Sequence, residues 1–352
     1  MKTILKWPGG KENELQIIRN NIPKYSGRYI EPFVGGGAVF FDTDNTNCFI
    51  NDKSFELINL YNCAKNKDDD FISFIQKLYD EFSSISTFVD KNHPDILLLY
   101  HSQLSVNDFI NKHDVFFSSL AKLKIDVFFK ELVKNLAGKI IRSQKLEKEH
   151  GEIPDNDRIC NIESALKSAY YMYVRYLLNH TESLSIGKQS AVFYFIREYC
   201  YSSMFRYNKK GEFNVPYGGI SYNRKDFQKK IDYLLSDEMH AKLNTATICC
   251  EDFEVFINNL NLSEDDFIFL DPPYDSDFST YAQNAFGPDE QVRLCECLKR
   301  TKAKIMLVIK NTELIYNLYK TDFNILSFDK TYLVSFKNRN DRSVKHLVIT
   351  NY

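Results

Sequence analysis

An uninterrupted apolar run, Phe267-Ile268-Phe269-Leu270, ends directly at Asp271-Pro272-Pro273-Tyr274. A short apolar run of this kind is typical of a strand that is buried on both faces, as the central strands of a parallel sheet are. In open α/β sheets, ligands bind beyond the carboxyl ends of the strands. The run therefore predicts a central strand that carries a functional turn at its carboxyl end.

The first sixty residues alternate between strand-like and helix-like patterns. A glycine turn, Gly35-Gly36-Gly37, separates the first strand from a brief helix that is predicted from Ala38 onward. Ser54 is a helix-capping residue type and precedes a second helical pattern. Strands are predicted at residues 28–33, 48–51, 247–250, 267–270, 304–309, 323–327 and 345–350. Strands that alternate with helices indicate a parallel α/β sheet.

Residues 65 to about 180 have a different pattern, in which lysine, aspartate and phenylalanine dominate and apolar residues recur at helical spacing. A helix is predicted at residues 163–178. We therefore expect residues 1–64 and 240–352 to form one domain around the sheet. Residues 65–239 are expected to form a mostly helical insertion.

Composition narrows the class of protein. The chain has 352 residues, of which 44 % are hydrophobic and 26 % charged, as in globular proteins. No apolar run is long enough to span a membrane, and the N-terminus lacks the apolar core of a signal peptide. The eight cysteines form no paired CxxC motifs, so we expect reduced thiols and no metal site.

Basic residues cluster locally although the formal net charge is −2. Residues 197–230 contain eight Lys or Arg against three Asp or Glu, and residues 330–345 contain five against one. Such runs are commonly solvated faces, and a nucleic-acid surface is the alternative interpretation.

The turn after the apolar run offers two hydrogen-bond acceptors, the Asp271 carboxylate and the Pro272 carbonyl. An exocyclic amine on an aromatic ring is a poor nucleophile, because its lone pair is delocalised. Two acceptors that grip its N–H groups would hold the nitrogen nearer tetrahedral and aim the lone pair at an electrophilic methyl group. Proline makes the turn rigid, and Tyr274 offers a face for a base to stack on. The alternative is a purely structural turn with a core tyrosine.

A second constellation is Glu31-Pro32-Phe33-Val34-Gly35-Gly36-Gly37, followed by Asp52 at the end of the next predicted strand. Glycines between a strand and a helix allow a ligand to approach the backbone, and an acid at the next strand end can accept bonds from ribose hydroxyls. The third glycine of GxGxxG is absent, which favours a nucleoside without pyrophosphate. Many glycine turns bind nothing, so the turn alone decides little.

Two further segments have both a functional and a structural interpretation. Glu251-Asp252-Phe253 follows a predicted strand and could contact the adenine of such a nucleoside, or could be a helix start with an acidic cap. Trp7 lies beside Pro8-Gly9-Gly10 and near Lys11, which suits an aromatic platform with a nearby cation, or plain packing.

In this order, the segments resemble the Dam-like, D12-class DNA adenine-N6 methyltransferases of the alpha group. The matching segments are LKWPGGK at 5–11, EPFVGGG at 31–37, Asn51-Asp52, RYNKKGEFNVPYG at 206–218, EDF at 251–253, DPPY at 271–274 and a loop from Asn338 to Arg342. They cover the chain except for roughly residues 65–185. The resemblance implies a Rossmann-like, mostly parallel methyltransferase sheet with an inserted, mostly helical target-recognition region. It also implies methyl transfer from S-adenosylmethionine to N6 of an adenine flipped out of duplex DNA.

The resemblance assigns roles to individual residues. The catalytic residues would be Asp271, Pro272, Pro273 and Tyr274. The cofactor pocket would contain Trp7, Lys11, Glu31, Phe33, Gly35, Gly37, Asp52, Asp252, Phe253 and Asp271. The DNA contacts would be Lys6, Tyr201, Arg206, Asn208, Lys209, Lys210, Pro216, Asn338 and Arg342. Within the last set, Arg206 is the candidate for reading a guanine and Tyr201 for wedging into the base stack.

The chain departs from the usual family pattern at three places. Ser202-Ser203 stands where the GATC enzymes usually have Asn-Gly, Gly219-Ile220 where Arg-Tyr is frequent, and His346 where Glu is common. A GATC-like site is therefore one candidate for the recognition sequence, which we leave open.

Alternative interpretations are an RNA adenine or protein amide methyltransferase, since related tetrads serve those enzymes, and a non-catalytic DNA-binding relative. The expected partners are double-stranded DNA and, in a restriction-modification system, a cognate restriction nuclease. We expect a monomer or weak dimer in the cytoplasm, associated with the nucleoid and not with a membrane.

Overall fold

The computed structural model describes residues 1–274, 286–331 and 343–352. The strands are β1 Tyr29–Glu31, β2 Cys48–Asn51, β3 Ala246–Cys249, β4 Phe267–Leu270, β5 Lys304–Lys310, β6 Asn324–Thr331 and β7 Ser343–Thr350. The helices are α1 Leu15–Asn21, α2 Phe55–Asn66, α3 Asp69–Lys91, α4 His93–Tyr100, α5 Val106–Lys112, α6 Asp114–Ser119, α7 Ile125–His150, α8 Asp155–Asn179, α9 Ile186–Tyr199, α10 Gln228–Leu234, α11 Asp237–Asn244, α12 Phe253–Asn259, α13 Pro288–Arg300 and α14 Glu313–Tyr319. Across the described residues, no helix combines the length and apolar character needed to cross a membrane.

The strands form one sheet in the order β3-β2-β1-β4-β5-β7-β6. The pairs from β3 to β5 are parallel, and β7 runs antiparallel to both β5 and β6. The predicted α/β, mostly parallel sheet is thus confirmed. From β1 the chain moves outward through β2 to β3 and then returns to β4 on the other side of β1. The boundary between β1 and β4 is therefore the topological switch point, where ligands bind in folds of this kind.

The side chains of β4 are buried as expected for a strand at the centre of the sheet. All four of its residues are at most 1 % exposed, as expected for a strand covered on both faces. Its register places Phe267 opposite Tyr29 of β1 and opposite Lys304 of β5. Each predicted strand overlaps an observed one, but the predicted helix from Ala38 is wrong. Residues 38–42 form successive turns, because the two α-type bonds, from the Phe41 amide to the Gly37 carbonyl and from the Thr43 amide to the Val39 carbonyl, are not consecutive.

The chain forms two compact units, one of residues 1–66 with 236–352 and the other of residues 67–235. The second unit is helical, with α7 packed along α8 and α3 along α9. Phe82 lies in its core, with ring centroids 4.3 Å from Tyr199 and 5.4 Å from Phe195. A catalytic role for one unit and a target-recognition role for the other stay predictions.

An ion pair joins the starts of β1 and β4. Asp266 is 2 % exposed and accepts hydrogen bonds from Arg28 through its backbone amide (2.8 Å), its Nε (3.0 Å) and its Nη2 (2.7 Å), as well as from the Ser263 amide (2.8 Å). Burial alone would raise the pKa of Asp266, but these donors hold it well below its usual range. The carboxylate therefore locks the register of the two strands at the switch point.

The opposite end of β1 carries a buried acid. Glu31 is 2 % exposed and accepts a hydrogen bond of 2.6 Å from the Tyr29 hydroxyl. Burial raises the pKa of Glu31 to about 8, and the nearby Asp271 charge adds to the rise. At neutral pH the side chain is therefore mostly the uncharged acid.

Asp266→Asn should lower the free energy of unfolding by about 2–4 kcal/mol at pH 7, because an amide presents an NH₂ group to donors and leaves Arg28 without its carboxylate. Urea unfolding followed by the fluorescence of Trp7, the one tryptophan of the chain, would measure the loss. The exposed neighbour Asp265 is the matched control, and Asp265→Asn should change stability by less than about 0.5 kcal/mol. Equal effects of the two substitutions would contradict the role given to Asp266.

Glu31→Gln should alter how stability depends on pH. The folded pKa of Glu31, about 8, lies above its unfolded value near 4.5, so its contribution is fully present below about pH 4.5 and is lost as the pH rises towards 8. The parent should therefore lose stability relative to the Gln variant by about 1.4 kcal/mol per pH unit across that window. Urea titrations from pH 4 to 9 would test this, with the exposed Glu264→Gln as control. A difference that does not vary with pH would refute the buried-acid assignment.

Candidate active site

The residues after β4, Asp271 to Tyr274, form a turn that is held in place by contacts of the Asp271 carboxylate. The Lys11 ammonium pairs with the Asp271 carboxylate and donates to the Gly9 carbonyl at 3.0 Å and to the Tyr274 hydroxyl at 3.2 Å. Lys11 is only 2 % exposed, whereas the Asp271 side chain is 19 % exposed. One buried cation thus holds both ends of the turn and leaves part of the carboxylate open to a substrate.

Two side chains hold the rest of this turn. The Gln291 amide nitrogen donates to the Pro273 carbonyl at 2.9 Å. The His346 imidazole, fully buried on β7, lies with its Nε2 3.4 Å from the Tyr274 hydroxyl and its ring edge-on to the tyrosine ring. His346 stands where Glu is common in the family, and it therefore changes the side chain that contacts Tyr274 from β7.

The glycine turn after β1 contacts the N-terminal segment. A Cβ on Gly35, whose φ is +47°, would lie 2.7 Å from Cδ1 of Trp7, so the indole packs directly on this turn. The Gly35 carbonyl accepts from the Tyr61 hydroxyl at 2.9 Å. A Cβ on Gly37, with φ +73°, would lie 2.9 Å from Phe41 and Tyr61. Both positions therefore require glycine.

Asp52 follows β2 and faces the same turn. Its two carboxylate oxygens accept from the Gly35 amide at 3.0 Å and from the Ser54 amide at 2.9 Å. Burial raises the pKa of Asp52 to about 6, although these bonds oppose the rise. The carboxylate keeps capacity to accept a further hydrogen bond from a ligand. Asp52 thus orders the glycine turn and can also accept from hydroxyl groups.

Asp252 and Phe253 begin α12 after β3. Asp252 caps the helix through the Glu254 amide (3.0 Å) and receives two bonds from the Arg293 guanidinium, at 3.0 and 2.7 Å. Burial would raise the pKa of Asp252, but Arg293 and the amide outweigh it and lower the pKa. The Phe253 ring lies 5.4 Å from the Phe33 ring. The helix-cap interpretation of this segment is confirmed. The first residue of the helix, Phe253, also forms an aromatic pair with Phe33.

Asn51, at the end of β2, joins the loops on either side of it. Its amide nitrogen donates to the carbonyls of Pro32 and Glu251, each at 3.0 Å, and its oxygen accepts from the Glu251 amide at 2.8 Å. The side chain is 1 % exposed. It therefore holds the segments after β1 and β3 at a fixed spacing.

The predicted catalytic and cofactor residues all lie in the first unit, on segments next to the carboxyl ends of β1 to β4. Lys6 is an exposed residue of the same unit. Asn338 and Arg342 lie outside the described residues. The roles of Gln291, Arg293 and Asn51 had no counterpart in the sequence-based prediction. For Gln291 a signal existed, because it shares a helical face with the apolar Leu294, Cys295 and Leu298.

The predicted DNA contacts of the second unit lie on one short segment. Tyr201 is 52 % exposed, and its amide donates to the Pro216 carbonyl at 2.9 Å. Residues 206–214 form a hairpin-like loop, in which Asn208 accepts from the amides of Lys210 and Glu212. Lys209 and Lys210 are exposed at its tip. The exposed Arg206 donates to the side chain of Asn214 at 2.7 Å and to its carbonyl at 2.9 Å.

The backbone next to Tyr201 is strained. Ser202 and Ser203 both have φ +51°, in the left-handed region that favours Gly and Asn. The buried Arg197 lies beneath, and its guanidinium donates to the carbonyls of Ser203 and Met204 at 2.6 Å each. The common Asn-Gly pair would suit this conformation, and here Arg197 holds the two serines in it.

Comparison with known proteins gives a consistent assignment. The family model of the D12 class N6 adenine-specific DNA methyltransferases matches residues 7–145 and 127–334. The chain is 28 % identical to the type II methyltransferase M.CviBI of Paramecium bursaria Chlorella virus NC1A, across the full length of both chains. It is 28 % identical to M.MjaIII of Methanocaldococcus jannaschii, over all of this chain and 99 % of the relative. It is 22 % identical to a DNA adenine methylase of Vibrio cholerae, over 94 % and 89 % of the two chains.

The model match covers most of the chain, including the glycine turn and the segment after β4. It confirms the prediction of an adenine-specific DNA methyltransferase over an RNA or protein amide methyltransferase and over a non-catalytic relative. The chain belongs to the D12 class of N6 adenine-specific DNA methyltransferases.

Proposed function

We propose that this enzyme moves the methyl group of S-adenosylmethionine to N6 of an adenine that is flipped out of duplex DNA, using the turn from Asp271 to Tyr274. The observation that carries the proposal is the partly exposed Asp271 carboxylate, held by the buried Lys11 at the carboxyl end of β4. A carboxylate fixed at a switch point and still open to solvent is suited to grip a substrate.

The chemistry follows from the acceptors on this turn. The Asp271 carboxylate and the Pro272 carbonyl accept the two N–H groups of the adenine amine and aim its lone pair. Bound S-adenosylmethionine would supply an electrophilic methyl group on a positively charged sulfur, which would be left as a neutral thioether. Asp271 would take up the proton that the methylated N6 amine loses and pass it to solvent. Tyr274 stacks on the flipped base.

The cofactor pocket is assigned to the segments around the glycine turn. The observed features suit a nucleoside: the backbone of the glycine turn at Gly35 and Gly37, which Asp52 orders, the Asp52 carboxylate for ribose hydroxyls, and the paired rings of Phe33 and Phe253 for adenine. Trp7, Lys11, Glu31, Asp252 and Asp271 complete the proposed set. The protonated Glu31 adds no second negative charge beside Asp271.

Target recognition is assigned to the segment around Tyr201. Tyr201 has the exposure that a wedge needs, and Arg206 can present two donors to guanine O6 and N7 if it gives up its bonds to Asn214. Lys209 and Lys210 suit phosphates. Lys6, Asn208, Pro216, Asn338 and Arg342 are the further proposed contacts. The proposal also includes a GATC-like recognition sequence and a cognate restriction nuclease as partner. It further includes a monomer or weak dimer as the oligomeric state and association with the nucleoid.

Asp271→Ala and Asp271→Asn should abolish methyl transfer, because neither leaves a carboxylate to grip the amine. Cofactor binding should be weakened but retained, because the rest of the proposed cofactor set stays in place. Transfer of a tritiated methyl group to DNA and equilibrium dialysis with labelled S-adenosylmethionine measure the two quantities. The Asn variant keeps the side-chain volume and so controls for the packing around Lys11. Turnover near the parent value in a folded Asp271→Asn variant would refute the mechanism.

Arg206→Ala should weaken binding to the preferred site by about 1–3 kcal/mol and flatten discrimination at one base pair. Changing Lys209 and Lys210 together to Ala should instead weaken binding to all sequences alike and reduce the salt slope of log K by up to about two. Titrations on duplexes with single-base changes, at several salt concentrations, separate the two patterns. An even loss across the panel for Arg206→Ala would make Arg206 a phosphate contact.

A further inference from the structure

Gln291 is a polar side chain in an apolar setting. It lies on α13, is fully buried, and shares the helix face that packs into the core with Leu294, Cys295 and Leu298. Glutamine is seldom fully buried, and a buried amide destabilises the fold unless it is hydrogen-bonded. A leucine or methionine at this position would serve packing alone. The presence of an amide therefore calls for an explanation by what it contacts.

The contact is the Pro273 carbonyl, which accepts from Gln291 Nε2 at 2.9 Å. The turn from Asp271 to Tyr274 contains two consecutive prolines and so lacks two backbone N–H groups. Proline fixes φ but leaves the rotation about ψ open, and ψ sets the direction of each carbonyl. The direction of the Pro273 carbonyl therefore depends on its ψ and on the donor that it bonds, which in the described structure is the Gln291 amide.

We propose that Gln291 is a positioning residue for methyl transfer, in that its amide fixes the Pro273–Tyr274 peptide plane and thereby the acceptor pair of Asp271 and Pro272. This inference rests on the proposed role of that pair. The same peptide plane sets the position of the Tyr274 backbone, from which the ring extends. Lys11 and His346 contact the hydroxyl at the other end of that ring. Gln291 is thus the donor that orients the middle of the turn, between the two ends held by Lys11.

The test compares Gln291→Met with Gln291→Asn. Methionine keeps the length of the side chain and removes the donor, whereas asparagine keeps the amide but is too short to reach Pro273 in the same position. Gln16→Met is the control, because it makes the same chemical change at an exposed position on α1 of the same unit, where the glutamine amide donates to Asn20 at 3.1 Å. Single-turnover methyl transfer is measured at saturating DNA and S-adenosylmethionine, together with the Kd of each and the urea unfolding midpoint.

Both Gln291 variants should slow the single-turnover step by about ten- to a hundredfold, the effect expected of a small misplacement of reacting groups. The two Kd values should change less than about threefold, and Gln16→Met should leave every quantity at the parent value. A purely structural role would instead lower the unfolding midpoint and leave the rate of the folded enzyme unchanged. A parent-like rate in either folded variant overturns the proposal. If Gln291→Met does not fold, the rate of Gln291→Asn decides.

Asp271→Asn, measured alongside, separates this inference from the function on which it rests. If Asp271→Asn is inactive and the Gln291 variants are normal, only the positioning role fails. If Asp271→Asn retains turnover, the catalytic assignment of the turn itself fails.

Discussion

The parallel pairing of β1 with β4 brings two acids to adjacent strand ends, Glu31 and Asp271. Two negatively charged carboxylates at such a place would repel each other, and the buried one would also lose its hydration. The protein meets this constraint in two different ways. Glu31 is kept uncharged by burial and bonded to Tyr29, whereas the partly exposed Asp271 carboxylate is paired with the Lys11 ammonium. The N-terminal segment is therefore an integral part of the site, since it supplies that cation.

The remainder of the site depends on how these strand ends are held. Asn51 spaces the loops after β1 and β3, Asp52 orders the glycine turn, and Arg293 fixes Asp252 at the start of α12. Each contact joins segments that are far apart in the sequence but adjacent along one edge of the sheet. Polar side chains at this edge thus bond mostly to backbone groups, which makes the turns rigid before any ligand binds.

Sequence patterns predicted the strands well because their signal is local. The apolar run at 267–270 predicted the central strand correctly, and the catalytic role of the turn that follows it stays a prediction. The helix predicted from Ala38 was wrong, because the packing of Gly37 against Phe41 and Tyr61 is a tertiary effect. The partners of the turn could not be predicted either. Gln291, His346 and Arg197 act through contacts whose geometry depends on the completed fold, although the apolar neighbours of Gln291 gave a hint.

The pairing of Arg28 with Asp266 spans 238 positions of the chain, which has a consequence for synthesis. At about 5–20 residues per second, a ribosome needs on the order of ten to fifty seconds between these two residues. During that interval β1 and β2 exist without β3 or β4, while the helical unit of residues 67–235 is completed and can form its own local contacts. The nascent chain therefore contains β1 and β2 without their outer neighbours, β4 and β3, until its last third emerges. Unpaired strand edges are prone to aggregation, so the sheet is most open to it during this interval, before β3 and β4 cover those edges.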